Sequence, residues 1–163
     1  MLLRRFAITS AVLLGAAVVS SPAFADTVNL SGSVADTSTV TSTATPGASA
    51  LSLGGEGTAA ADTVAQVADL ALESNSSDGV TLTAAADGLL TNGTDSLAYQ
   101  VLIVADGAAA PVATDFSADN DSKNVTDFTS GAAARDLYIE YDAPDLLDPG
   151  TYTSSITVTV TDN

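Results

Sequence analysis

The chain contains no cysteine, no histidine and no tryptophan, and a single methionine at its start. Without cysteine there is no disulfide to brace the fold and no thiol nucleophile. Without histidine as well, the Ser-His-Asp and Cys-His arrangements of hydrolases cannot be built, nor can a zinc site of the usual ligand set. Basic residues are scarce too: 4 Lys and Arg stand against 20 Asp and Glu, for a formal charge of −16. Such a surface repels phosphate, so nucleic acid and anionic lipid are poor partners. It suits a salty or calcium-containing medium, where self-repulsion is screened. No glycine-rich loop carries the lysine of a phosphate cradle. Paired carboxylates for glycoside hydrolysis are formally available. Most aspartates, however, stand in turns or loops, where Asp bonds its own backbone. The composition argues against an enzyme.

What is present begins with an export pattern. Arg4 and Arg5 precede an apolar run from Phe6 to Val19, and Ser21-Pro22-Ala23-Phe24-Ala25 ends in a small-x-small sequence. Residues 1–25 therefore read as a signal peptide cut before Asp26. The run is short for a membrane span, which needs about 20 residues. No later segment is apolar enough to cross a bilayer, so no membrane insertion is expected after cleavage. Cleavage leaves 138 of the 163 residues, with Lys123 and Arg135 the only basic ones. That length fits one domain with a real core. The expected destination is the periplasm in transit, then the cell surface or medium.

The remaining sequence has the rhythm of short strands. Asp78-Gly79, Asp87-Gly88, Asn92-Gly93, Asp106-Gly107 and Asp148-Pro149-Gly150 are turn signals, because Gly accepts positive φ and Asx side chains bond locally. Between them, Gln66–Ser74 alternates Ala68, Leu70 and Leu72; Gly79–Ala84 alternates Val80 and Leu82; Asp136–Asp142 alternates Leu137, Ile139 and Tyr141. Leu97–Val104 is apolar on both faces, the mark of a central covered strand. Thr37–Thr45 reads as a Thr/Ser-rich strand or extended linker. Thr151–Thr161 places Tyr152, Ile156, Val158 and Val160 on one face and six Thr or Ser residues on the other. No amphipathic helix competes. The pattern predicts an all-β, immunoglobulin-like antiparallel β-sandwich over residues 37–163, with no substantial helix after the signal.

Two stretches read as long loops, 46–61 and 108–130. The second carries Asp115, Asp119, Asp121 and Asp127 with Asn120 and Asn124. Several oxygens in one loop are what a calcium ion needs, so Asp115, Asp119 and Asp121 are weak metal candidates. Lys123 intrudes and no Glu closes the set, so a solvated acidic loop is the preferred reading. No other cofactor is implied.

Both ends of the cleaved chain carry alternation. Val28-x-Leu30-x-Gly32-x-Val34 lies just past the cleavage point. It resembles the N-terminal extension of chaperone–usher pilins. Pro149-Gly150-Thr151-Tyr152-Thr153 with Ile156-Thr157-Val158-Thr159-Val160-Thr161 resembles the closing strand of the spore-coat-protein-U type of pilin-like domain. The resemblance covers about seven residues at one end and fifteen at the other. It lacks the disulfide often found in that family and the family's aromatic C-terminal ending. In that family each subunit is a sandwich lacking its last strand, and the next subunit's extension fills the gap. The resemblance thus implies that residues 26–36 are a donor strand, with Val28, Leu30 and Val34 filling pockets and Gly32 meeting a shallow one. Ile156, Val158 and Val160 would line the acceptor edge. It also implies partners: copies of the chain or related subunits, a periplasmic chaperone and an usher.

The same opening residues would serve equally as strand A of a self-complete sandwich. Interior Gly weakens an ordinary strand, which favours donation. The two expectations are therefore a structural subunit of a bacterial surface fibre or coat, and a self-complete acidic binding module (an adhesin or matrix protein, with calcium as an option).

Overall fold

A computed structural model describes residues 29–163. The proposed signal, residues 1–25, and Val28 lie outside that range. The chain divides after Ser33. Asn29–Ser33 carry no regular secondary structure. Val34–Asn163 form the folded unit.

Eight strands account for that unit. They are β1 (Thr39–Ala44), β2 (Ala60–Glu73), β3 (Val80–Ala86), β4 (Leu89–Thr91), β5 (Ser96–Ala105), β6 (Asn120–Val125), β7 (Ala132–Ala143) and β8 (Ile156–Asp162). Helical structure among the described residues is confined to two 3-10 turns, Pro46–Ser49 and Ala113–Asp115. One sheet runs β1-β2-β7-β5-β4 and the other β6-β3-β8, all pairs antiparallel. The expected all-β antiparallel sandwich is the fold observed.

The order matches the immunoglobulin arrangement, in which A-B-E-D form one sheet and C-F-G the other. Strands β1, β2, β7 and β5 take the first four positions, and β3 and β8 take C and F. Tyr152 lies before β8 with its hydroxyl 3.0 Å from the Asp148 carbonyl four residues upstream. That is the tyrosine corner of such sandwiches, at the E–F crossover.

The alternating residues build the core as the sequence pattern requires. Leu70, Leu72, Val80, Leu82, Val101, Ile103, Leu137 and Tyr141 are almost wholly buried. Each large apolar side chain buried this way contributes about 1.5–3 kcal/mol. A bulge between Gln66 and Ala68 resets the phase of β2. Before it, Ala65 faces Ile139; after it, Ala68 faces Leu137. The extra residue lets one long strand keep its apolar side inward at both ends. Ala60–Ala65 therefore extend β2 beyond the Gln66–Ser74 span expected from alternation.

Two expectations need correction. The last strand begins at Ile156, not Thr151. Thr151–Ser155 are not ladder residues, except that Thr153 bridges Thr91 with two 3.0 Å backbone bonds. Within the expected 108–130 loop lie a 3-10 turn and β6. The β6 sequence NDSKNV has little strand propensity, and its pairing with β3 supplies the order. Strand β4, three residues at the edge of the larger sheet, also had no alternation long enough to show.

Candidate acceptor edge

The functional candidates converge on β8. One of its edges pairs with β3 from Val80↔Asp162 to Ala86↔Ile156. Among the described residues no strand pairs with its other edge. Strand β1, close to β8 across the seam between the sheets, likewise pairs only with β2. The seam is where the G strand of a complete immunoglobulin sandwich lies.

The side chains along this seam are apolar and incompletely covered. Ile156, Val158 and Val160 alternate with exposed Thr157, Thr159 and Thr161, and are only half-buried. They pack against the main core together with half-buried Val40, Leu51 and Leu53. A cavity of about 530 Å³ opens at the start of β8, walled by Leu51, Leu53, Leu90 and Tyr152. At the far end a cavity of about 310 Å³ is lined by Val34, Asp36, Asn75, Asp78, Asp162 and Asn163. The cavity near the start of β8 thus mixes leucine with Ser and Thr, and the one at its end is acidic. The expected edge residues Ile156, Val158 and Val160 are brought together on one row, and the free ladder positions beside them are a template for another strand.

The expected donor residues are placed differently. Asn29–Ser38 belong to no strand. Leu30 is 92% exposed and Val34 88% exposed. A side chain added at Gly32 would meet nothing within 4 Å. The chain is pinned only after this stretch. Asn75 Nδ2 donates to the Ala35 carbonyl at 2.7 Å, and Thr37 N donates to Asn75 Oδ1 at 3.1 Å. One amide side chain copies both halves of a strand pairing at Ala35–Thr37.

The weak calcium candidates do not form one cluster. Asp115 Oδ2 accepts from Val112 N at 2.9 Å in its own turn. Asp119 abuts Gly88 and accepts from the Asn120 amide at 3.1 Å. Asp121 Oδ2 accepts from Ile103 N at 2.8 Å and lies 3.2 Å from Lys123 Nζ. Asp127 pairs with Arg135, which holds its carboxyl below the usual range. Asp121 and Asp127 tie the 108–130 excursion to β5 and β7.

Carboxylates converge instead at Asp62, Glu140 and Asp142, with oxygens within 4.8 Å of one another. Asp62 lies in the β2 stretch that alternation did not reveal, so sequence spacing could not have joined it to β7. Burial foremost, then the charges of Asp142 and Asp62, pushes Glu140 above its ordinary value. A second missed centre is Asp95, whose carboxyl is held low chiefly by the Asp148 N–H and then by the Ser96 N–H. No protein-family model matches the chain, and no curated protein sequence matches it either.

Proposed function

We propose that the chain is a secreted structural subunit of a bacterial surface fibre or coat, assembled by β-strand donation. The observation that carries this reading is the unpaired edge of β8, where Ile156, Val158 and Val160 form a half-buried apolar row. The donor is residues 26–36 of another copy or a related subunit. Leu30 and Val34 are exposed in the single chain and have the two-residue period that such a row accepts. Backbone bonds to β8 supply affinity, and alternate side chains set register. Burying Val28, Leu30 and Val34 would add about 1.5–3 kcal/mol each. Until a strand arrives the edge is an aggregation hazard, which gives a periplasmic chaperone and an usher their role in this scheme.

The test compares residues 26–163 with a version lacking 26–36, each with and without a synthetic 26–36 peptide. Donation predicts multimers from the longer protein, and an unstable shorter one that the peptide stabilises. A stable monomer of 26–163, indifferent to peptide, contradicts it. That outcome would favour the second reading, a self-complete acidic binding module. The meeting of Asp62, Glu140 and Asp142 supports its calcium-dependent form, for which millimolar calcium should raise the melting temperature.

A further inference from the structure

Asp95 sits in the turn between β4 and β5, and both of its carboxylate oxygens are engaged. Oδ1 accepts from Ser96 N at 2.9 Å. Oδ2 accepts from Asp148 N at 3.2 Å and lies 3.2 Å from the Tyr152 hydroxyl. Asp148 and Tyr152 belong to another segment, the crossover from β7 to β8. Further bonds join the crossover to the larger sheet. Asn92 Nδ2 donates to the Asp148 carbonyl at 3.2 Å. Thr91 and Thr153 exchange two backbone bonds of 3.0 Å. The Tyr99 hydroxyl lies 2.8 Å from Ser154 Oγ. Carboxylates also accept from Thr94 Oγ1 (Asp148, 3.4 Å) and Ser155 Oγ (Asp87, 3.2 Å), but Asp95 alone among these takes two bonds from the crossover, and bonds to a charged group are about twice as strong as neutral ones.

The crossover also walls the acceptor edge. Tyr152, on the segment that leads into β8, lines the 530 Å³ cavity together with Leu51 and Leu53. Its leucine walls face water and would gain by being covered. An aromatic ring on a loosely held loop would swing inward and fill it. A ring fixed by its hydroxyl cannot.

We propose that Asp95 is a positioning residue for strand acceptance: it pins the 148–155 crossover to the β4–β5 turn and holds the leucine-lined end of the edge open for a donated strand. This rests on the strand-donation reading. Asp95 touches no donor residue in this scheme and acts through Tyr152 and Asp148.

The experiment uses the chain purified after secretion. Amide exchange is followed in 148–155, with β7 as internal reference, alongside the rate of multimer formation. In Asp95→Asn the amide turns a donor toward other donors. Exchange in 148–155 should rise about tenfold, the size of one lost charged hydrogen bond. Exchange in β7 should stay unchanged, and assembly should slow several-fold. Tyr152→Phe keeps the ring but removes both the hydroxyl's contact with Asp95 and its bond to the Asp148 carbonyl; it should shift both readouts in the same direction. It also serves if Asp95→Asn loosens β7 as well. Multimers forming at the wild-type rate in both variants would overturn the latch alone. So would unchanged exchange in 148–155. A wild-type chain that stays monomeric would overturn the donation reading beneath it.

Discussion

Strands β7 and β8 have nearly the same sequence grammar and opposite situations. Strand β7 alternates Leu137, Ile139 and Tyr141, pairs with β2 on one side and β5 on the other, and buries all three. Strand β8 alternates Ile156, Val158 and Val160, pairs among the described residues with β3 alone, and leaves all three half-covered. Alternation reports which face of a strand is apolar. It does not report how many of the strand's edges are paired, because hydrogen-bond partners come from the topology. The difference between the two strands is the structural content of the functional proposal, and it can be attacked from either side.

The largest separation should come from a charge. Val158→Asp puts a carboxylate where a donated strand would seal it from water, a desolvation that an unpaired charge does not survive. Multimers should disappear by sedimentation while the monomer keeps its β-type circular dichroism. The same change at Ile139 should unfold the chain. A Val158→Asp protein that still assembles would remove β8 from the interface.

Truncation comes next. Leu137→Ala should cost about 2–5 kcal/mol in urea unfolding of the monomer. Val158→Ala should cost about 1 kcal/mol there, since a half-buried site has less apolar contact to lose. It should cost more in the assembled form. Equal costs in the monomer would mean that the β8 row is already sealed.

The smallest effects concern two carboxylates of opposite sign. Asp95 is held below its ordinary 3.8 by the N–H groups of Asp148 and Ser96. Its contribution is present above pH 3.8 and is lost as pH falls through the lower folded value. Glu140 is pushed above its ordinary 4.5 by burial and by Asp142 and Asp62. The folded state therefore binds its proton more tightly, and stability falls as pH rises from 4.5 through the raised value. Melting curves should show Glu140→Gln slightly more stable than wild type at neutral pH, with the gap closing below pH 4.5. A destabilised Glu140→Gln at neutral pH would show that the charge is satisfied there, as a bound cation would satisfy it.

Much of this fold was legible in the sequence. Leu70, Leu82, Val101, Leu137 and Ile139 stand in plain alternation between Asx-Gly turns, and each is a core residue. The half-buried row of Ile156, Val158 and Val160 was legible for the same reason. What escaped notice depends on partners distant in sequence. Strand β6 is ordered by β3 rather than by its own polar residues. The start of β2 is disguised by a bulge that reverses its phase. Asp95 reads as one more turn aspartate until the fold brings Asp148 and Tyr152 to it. Thr151 and Thr153 continue the alternation of β8 in sequence, yet the tyrosine corner bends them away. The weak calcium candidates Asp115, Asp119 and Asp121 lie apart: Asp115 closes its own turn and Asp121 bonds β5.

The absence of cysteine from the chain makes the central claim open to direct test by cross-linking. One preparation carries Ser31→Cys and the other Thr159→Cys, each in the polar row of its strand and at the middle of the proposed pairing in either direction. The two are mixed and mildly oxidised. Strand donation predicts a disulfide-linked heterodimer as the dominant product, suppressed by excess 26–36 peptide. A mixture that stays monomeric, or gives only the homodimers expected of random collision, would contradict it.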